Sequence, residues 1–311
     1  MKRTTCLVAG LLLAGGDFLS AEPEKNGFDL NNAGIPVEEI RSGGPPRDGI
    51  PSIDRPVFES VEEADRWLRG KDIVVSFGKG GEVRAYPLRI LVWHEIVNDR
   101  VDNRPVAVTY CPLCGTAMVF DAVIDGRTRT FGVSGLLYNS DVLMYDRQTE
   151  SLWSQLAMKA VSGPALGNEL SLLPSEHLAW AKWKEENPDG RVLSRDTGAS
   201  RDYGRMPYRD YERTQRTLFP VRKYRDELKN KEWIAGLHVD GVAAAFPLGE
   251  LAEEETVKAR MGESLVEVTF DPDRKTVRAV RAESGERIPV TRAYWFAWQA
   301  FYPETALWRA P

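Results

Sequence analysis

The two cysteines of Cys111-Pro112-Leu113-Cys114-Gly115 form the sharpest chemical motif in this sequence. Two thiolates separated by two residues can bind one metal ion, because a tight turn brings both sulfurs to one side. Gly115 permits a positive φ immediately after the second cysteine. The same spacing serves thiol–disulfide exchange, and in an oxidising compartment it can form a static disulfide. The spacing therefore leaves a metal loop, a redox pair and a structural disulfide as alternatives.

The residues that follow the pair favour the metal loop. Residues 116–121 are typical of a strand, and Asp125-Gly126 is typical of a hairpin turn. Oxidoreductases of the thioredoxin type instead begin a helix at the cysteine pair, and this helix lowers the pKa of the thiol. The motif therefore predicts a strand, a metal-binding turn and a second strand.

His94 is the best candidate for a third ligand. It precedes the cysteine strand on a predicted helix, where it shares an inward face with apolar residues. A satisfied core histidine is the alternative. We predict that His94, Cys111 and Cys114 bind one ion. Two thiolates and an imidazole suit three-coordinate Cu(I), or Zn(II) with a fourth ligand, and copper is preferred because no fourth ligand is obvious.

The segment 132–155 is predicted to form a hairpin with a polar cluster. Four of its side chains are candidates for hydrogen bonds to the metal ligands or for substrate contacts: Asp141, Asp146, Trp153 and Gln155. Met118 and Met144 could offer thioether ligands. Ordinary hairpin packing with local turns is the alternative for each of these residues.

Two sequence blocks recur with one common shift of 160 positions. Residues 85–88 (AYPL) match residues 245–248 (AFPL), and residues 106–112 match residues 266–272. Trp180 and Trp183 recur further on as Trp295 and Trp298. Each copy is expected to have a strand, a helix beginning near the proline, and further strands; in the first copy these are a strand at 73–77, a helix at 87–97 and a strand at 106–110. A helix capped by Ser175 is expected to carry Trp180 and Trp183.

The sequence thus predicts an α+β fold of mostly antiparallel sheets with a few helices, built from two copies of a degenerate internal repeat. We expect a signal peptide at 1–21, an extended lead-in at 22–71, a first repeat with the cysteine site at 72–196, an Arg- and Tyr-rich connector at 197–232, and a shorter second repeat at 233–311. Lys2 and Arg3, the apolar run 6–14 and the small residues before Glu22 indicate export, so the expected location is periplasmic or secreted.

Composition excludes several functional classes. The 311 residues contain 41 Lys and Arg against 46 Asp and Glu, a net charge of -5, so we expect no nucleic-acid partner. Three Cys and three His are too few for a disulfide-rich or multi-finger zinc protein. We expect no membrane span in the mature form. Whether the partner is a small molecule or an envelope protein is left open, and no serine-nucleophile, phosphate-loop or dinucleotide motif occurs.

Three segments resemble a bacterial family catalogued as domain of unknown function 3179. They are residues 94–99 (HEIVND), residues 108–115 (VTYCPLCG), and residues 145–147 (YDR) leading into 151–155 (SLWSQ). The resemblance covers about residues 73–308. It implies that these segments form one unit, and it supplies no reaction.

The leading hypothesis is an exported soluble metal-binding protein of unknown reaction. A thiol–disulfide oxidoreductase that uses Cys111 and Cys114 is the first alternative. A non-catalytic binding module with a structural disulfide is the second.

Overall fold

The computed structural model describes residues 23–79 and 82–310, so the signal-peptide prediction for residues 1–21 lies outside the described residues. The chain is mostly β, with 40% strand and 14% helix. The strands up to residue 200 are β1 (Glu24–Lys25), β2 (Phe28–Asp29), β3 (Arg41–Ser42), β4 (Phe58–Ser60), β5 (Ile73–Phe77), β6 (Arg84–Pro87), β7 (Ile96–Val101), β8 (Arg104–Cys111), β9 (Thr116–Asp121), β10 (Val123–Ile124), β11 (Arg127–Thr128), β12 (Phe131–Tyr138), β13 (Asp141–Asp146), β14 (Leu152–Ser154), β15 (Lys159–Ser162), β16 (Leu172–Leu173), β17 (Glu176–Ala179) and β18 (Arg191–Leu193).

The remaining strands are β19 (Trp233–Val239), β20 (Val242–Pro247), β21 (Thr256–Met261), β22 (Ser264–Asp271), β23 (Thr276–Arg281), β24 (Arg287–Ile288), β25 (Thr291–Tyr294) and β26 (Ala306–Leu307). The helices are short: α1 (Val61–Asp65), α2 (Leu88–His94), α3 (Trp180–Glu186), α4 (Arg209–Glu212), α5 (Leu248–Glu254) and α6 (Trp295–Phe301), with a 3₁₀ turn at Val37–Glu39.

Five small sheets are arranged as the blades of a five-bladed β-propeller. Blade 1 has the strand order β17-β5-β6-β18-β4, blade 2 the order β16-β9-β8-β7, and blade 3 the order β15-β14-β13-β12-β3. Blade 4 has the order β25-β19-β20-β26, and blade 5 the order β21-β22-β23-β24. Neighbouring strands are antiparallel, except that β18 runs parallel to β6 and β26 runs parallel to β20.

The expected α+β fold of two repeat copies is wrong. The recurring sequence blocks mark local corners, in which a strand leads through a proline into a short helix, and they do not show how strands group into sheets. Helix α2 lies between β6 of blade 1 and β7 of blade 2, so the corner marked by the block at residues 85–88 connects two different blades. Blade 3 also recruits β3 from the predicted lead-in, and blade 1 recruits β4.

The predicted elements differ from the observed ones mainly at their ends. The strand at 73–77 is present as β5, and residues 106–110 lie within β8. Helix α2 ends at His94, because Glu95 adopts a left-handed conformation with φ 59°, and Asn98 then pairs in β7. The helix with Trp180 and Trp183 begins at Trp180 rather than at Ser175. The preceding residues Glu176–Ala179 pair with β5, so sheet pairing overrides the local capping signal.

Two hairpins from neighbouring blades supply the residues of interest. The β8–β9 hairpin of blade 2 closes at the pair Cys111 and Thr116. The β12–β13 hairpin of blade 3 closes at Tyr138 and Asp141. Both hairpins contribute to one buried apolar cluster, which includes Cys111, Cys114, Met118, Met144 and Trp153.

Within the part of the chain that the structure describes, no helix has both the length and the apolar character needed to cross a membrane.

Candidate metal centre

Two thiols and one carboxyl group meet where the hairpins of blades 2 and 3 come together. The sulfurs of Cys111 and Cys114 and a carboxylate oxygen of Asp141 all lie within 4.8 Å of one another. Each of the three side chains is at most 1% exposed, and both cysteines are free thiols. This group, Cys111, Cys114 and Asp141, is called the thiol–carboxylate cluster below.

The turn between β8 and β9 brings the two sulfurs together. Cys111 is the last residue of β8, and Cys114 follows within the four-residue loop that leads to β9. Gly115 completes the turn with φ 69°, and a Cβ atom there would lie 2.6 Å from the Trp233 ring. Glycine is therefore required both by the left-handed backbone and by the close approach of the ring.

Asp141 is placed by the type of turn that precedes it. Asn139 and Ser140 form a two-residue hairpin loop with φ 49° and 65°, and such loops fit the right-handed twist of the strands. The turn aims the Ser140 carbonyl oxygen at the thiols, at 3.4 Å from Cys114 Sγ and 3.8 Å from Cys111 Sγ. The carbonyl thus adds an oxygen beside both sulfurs.

The two oxygens of Asp141 have different surroundings. Oδ2 accepts hydrogen bonds from the Leu156 N–H at 2.9 Å and from the Ser154 hydroxyl at 3.3 Å. Oδ1 is buried without a hydrogen-bond partner among the described residues. Buried carboxylate oxygens are rarely left unpaired, because desolvation without a partner costs several kcal/mol. The free oxygen is therefore the notable feature of this side chain.

Burial opposes the ionisation of the cluster. It raises the pKa of Asp141 to about 7, although the bonds from Leu156 and Ser154 act in the opposite direction. Burial and the neighbouring Cys111 raise the pKa of the Cys114 thiol well above its usual range. Burial and Asp141 raise the pKa of Glu95 to about 8. Reactive redox thiols are at least partly exposed, whereas both thiols here are at most 1% exposed, so their burial does not favour an oxidoreductase.

The structure does not bring His94 into this cluster. Its Nδ1 lies 2.7 Å from the Pro51 carbonyl oxygen, and its Nε2 lies 2.7 Å from the Tyr203 hydroxyl. Both ring nitrogens therefore have partners, and the side chain is 1% exposed. His94 points inward, as expected from the sequence. Its imidazole, however, joins Pro51 of the lead-in to Tyr203 of the connector. Asp141 is the third side chain beside the two thiols.

The other polar candidates hold the two hairpins in place. Asp146 Oδ2 accepts a hydrogen bond from the Trp153 indole at 2.9 Å, so these two residues bond to each other within blade 3. Gln155 bridges the blades: its Oε1 accepts from the Thr116 hydroxyl at 2.6 Å, and its Nε2 donates to the Thr109 hydroxyl at 2.7 Å. Gln155 thereby fixes the β8–β9 hairpin that carries the cysteines.

Met118 and Met144 are buried in the same apolar cluster as the thiols. Both methionines are thioether candidates on sequence grounds, and the structure places them in the core around the thiols.

The connector covers the cluster. Tyr211 donates a hydrogen bond to the Leu113 carbonyl oxygen at 2.8 Å, inside the cysteine loop. The Phe219 carbonyl accepts from the Ser140 hydroxyl at 2.7 Å, and the Arg222 N–H donates to Asn139 Oδ1 at 2.8 Å. The connector is thus fastened to both turns that present the cluster. In the sequence, the high content of tyrosine was the one feature of the connector that could have indicated that it covers the cluster.

Sequence reasoning missed Glu95, the Ser140 carbonyl and the covering part of the connector. Glu95 lies between helix α2, which ends at His94, and strand β7, which begins at Ile96. A carboxylate directly after a helix is common in sequences and gives no specific signal. The Ser140 carbonyl carries no side-chain signal at all. Only the two-residue turn implied by Tyr138 and Asp141 could have pointed to it.

A family model described as Protein of unknown function (DUF3179) matches residues 47–288. The match confirms the resemblance carried by the three motif segments, and it includes all three members of the thiol–carboxylate cluster. No curated protein and no solved structure matches the chain.

Proposed function

Since the chain belongs to this DUF3179 family, whose description assigns no reaction, we propose from the geometry that it is a metal-binding protein. Cys111, Cys114 and Asp141 bind one divalent ion between blades 2 and 3. The observation that carries the proposal is the convergence of two free thiols and a carboxylate within 4.8 Å in a buried place.

A bound cation accounts for features that the protein side chains leave unexplained. Asp141 has no ion-pair partner among the described residues, and its Oδ1 atom has no hydrogen bond. Buried acidic groups are normally paired or coordinate a metal. An ion at the centre of the cluster would supply the charge and occupy the free oxygen.

The ligand set favours zinc over copper. A site of two thiolates and an imidazole would suit Cu(I), but a carboxylate is a harder ligand that suits divalent ions. In tetrahedral zinc sites the Zn–S and Zn–O bonds are about 2.3 Å and 2.0 to 2.2 Å, which places ligand atoms roughly 3.5 to 4 Å apart. The ligand atoms of the cluster lie within 4.8 Å of one another, and the Ser140 carbonyl oxygen, 3.4 Å from Cys114 Sγ, is a candidate for the fourth position.

The burial of the ligands favours a structural site. Structural zinc sites are closed, whereas catalytic sites keep a position open to water or substrate. All three ligand side chains are at most 1% exposed, and the connector is hydrogen-bonded to both turns. The ion would thus join blade 2 to blade 3 and stabilise the folded chain.

Zinc titration of reduced, metal-free protein tests this proposal. The protein is stripped with a chelator under reducing conditions and titrated in competition with a chromophoric chelator, and Co(II) is used in parallel to detect thiolate coordination by its charge-transfer absorption. We expect one ion per chain. Cys111→Ser with Cys114→Ser should abolish binding. Asp141→Asn should weaken it by more than about 100-fold, because even indirect partners of metal ligands contribute 10- to 100-fold.

Two variants serve as controls. Asp146→Asn changes a buried carboxylate of the same hairpin that lies outside the cluster, and His94→Asn removes the ligand proposed from sequence. Both should keep one ion with thiolate absorption. Zinc binding that survives the double cysteine change would refute the proposal, and loss of binding in His94→Asn alone would restore the imidazole as a ligand. Binding of copper without binding of zinc would show that the proposed metal is wrong.

We also propose that the protein is exported, from the charged, apolar and small-residue order of residues 2–21. Expression of the full chain, fractionation and N-terminal sequencing test this. We expect a periplasmic or secreted protein that begins at Glu22, and an uncleaved cytoplasmic chain would contradict it.

A further inference from the structure

A cavity lies beside the cysteine hairpin, and none of the proposed metal ligands lines it. It has a volume of about 490 Å³, within the range of small-molecule sites, and it is lined in part by Tyr110, Gly115, His177, Trp233 and Arg292. The two cysteines are buried and do not line it. This cavity is called the arginine cleft below.

Two features of Arg292 suit it to bind an anion in the arginine cleft. It forms no salt bridge with the described residues, and its Nε atom is buried without a hydrogen-bond partner. The guanidinium lies 4.3 Å from the centre of the Trp233 ring, so one face is stacked on the indole. Stacking fixes the plane of the guanidinium and leaves its N–H edge available, which is how arginine recognises planar anions.

The charges that line the cleft are mostly positive. Six cationic side chains line it against two carboxylates, Asp72 and Glu212; the cations are Arg69, Lys71, Arg89, Arg205, Arg209 and Arg292. Asp72 is already bound by Arg89, at 2.5 and 3.0 Å. A concave surface of one dominant sign attracts ligands of the opposite sign, although the whole protein has a net charge of -5.

His177 adds a neutral polar group beside Arg292. Its Nε2 lies 3.2 Å from the Ala117 carbonyl oxygen, which makes Nε2 the protonated nitrogen and leaves Nδ1 as an acceptor. Burial and the charge of Arg292 lower the pKa of His177 to about 4. Leu88, Met206 and Trp233 provide apolar walls. The cleft therefore combines one anion-binding edge with an apolar surface.

We propose that the arginine cleft binds a small organic anion. Its carboxylate or phosphate group accepts hydrogen bonds from the Arg292 guanidinium, and its apolar body packs on Trp233 and Met206. The carboxylate and phosphate forms share this chemistry, because both present two oxygens to the guanidinium fork. The inference does not depend on the proposed metal, since no lining residue is a member of the thiol–carboxylate cluster.

Calorimetric titration with three matched probes tests the proposal. Benzoate and phenyl phosphate carry the two anionic groups on one apolar ring, and benzyl alcohol is the neutral counterpart. We expect saturable binding of at least one anion and weaker or absent binding of benzyl alcohol; the anion that binds more tightly identifies the head group. Arg292→Gln should weaken binding by about 10- to 100-fold, the equivalent of a charge-assisted hydrogen bond of about 1.5 to 3 kcal/mol.

Arg292→Lys keeps the charge without the planar fork and should lose less affinity than Arg292→Gln. Arg127→Gln, an exposed arginine of the β10–β11 hairpin, should leave binding unchanged. Thermal melts verify that each variant folds. The absence of binding by both anions, equal binding by benzyl alcohol, or unchanged binding in Arg292→Gln would overturn the proposal. Zinc content, measured in the same samples, should not change in Arg292→Gln, and the double cysteine variant should still bind the anion, so the two proposals fail separately.

Discussion

Asp141→Asn should flatten the pH dependence of stability of the metal-free protein. The pKa of Asp141 is about 7 in the folded chain, against an ordinary value of 3.8. Between these values the folded state binds more protons than the unfolded state, so stability falls as pH rises. One pKa unit corresponds to 1.36 kcal/mol, so Asp141 alone should lower the free energy of unfolding by about 3 kcal/mol between pH 5 and pH 8.

Urea unfolding of metal-free, reduced protein at pH 5 and pH 8 measures this change. Glu95, whose pKa is raised to about 8, adds to this loss of stability as the pH rises. His94 and His177 have lowered pKa values, so their contribution to the free energy of unfolding increases as the pH rises through the acid range. These groups are present in both proteins. The difference between wild type and Asp141→Asn therefore reports the titration of Asp141 together with its effect on the pKa of Glu95.

The expected outcome is a pH-induced loss that is about 3 kcal/mol smaller in Asp141→Asn than in wild type. The asparagine can still accept from the Leu156 N–H through its own oxygen, so the variant should fold. Equal pH dependence in the two proteins would refute the conclusion that Asp141 is buried as an uncompensated acid. Saturating zinc should remove most of the wild-type loss, because the bound ion stabilises the ionised carboxylate.

Three further changes test the surroundings of the cluster. Gly115→Ala should destabilise the protein by about 2 to 4 kcal/mol in urea unfolding, because it combines a left-handed backbone with a Cβ atom 2.6 Å from Trp233; a loss below about 1 kcal/mol would contradict the packing. Gln155→Leu should lower the free energy of unfolding by about 1 to 3 kcal/mol, because the buried Thr116 hydroxyl loses its acceptor and the Thr109 hydroxyl loses one of its two partners; an unchanged urea midpoint would argue against the bridge between blades. Tyr211→Phe removes the hydrogen bond to Leu113 and should accelerate trypsin cleavage within the connector about fivefold, the equivalent of about 1 kcal/mol; equal cleavage rates would show that this bond does not hold the connector.

The cysteine hairpin could be predicted from sequence because its signals are local. Strand alternation, the two-residue spacing of the cysteines and Gly115 all act within a dozen residues, and the structure has β8, the turn and β9 in that order. The Asp125-Gly126 turn is likewise present between β10 and β11. In each case, the backbone geometry is set by neighbouring residues alone.

The membership of the cluster could not be predicted, because it depends on contacts between blades. Asp141 and Cys111 are distant in sequence and meet only because two hairpins pack side by side. His94 is nearer to Cys111 along the chain, but the left-handed residue Glu95 ends its helix early, and the ring turns towards Pro51 and Tyr203. Sequence proximity was thus a poor guide to which side chains converge.

The grouping of strands into blades failed for a related reason. Repeated motifs such as residues 85–88 and 245–248 describe the entry into a short helix, and this corner is equally compatible with several sheet arrangements. The strands on its two sides belong to different blades, and short strands such as β3 join sheets far from their place in the chain.

The position of the connector has a consequence for how an ion would reach its site. Phe219, Arg222 and Tyr211 fasten this segment over the turns at residues 139–140 and 112–115, so a hydrated ion has no direct route inward once these bonds have formed. Loading would then belong to the last stage of folding, before the segment closes. In the finished molecule, the rate of ion exchange would follow the frequency of local opening rather than the affinity of the ligands.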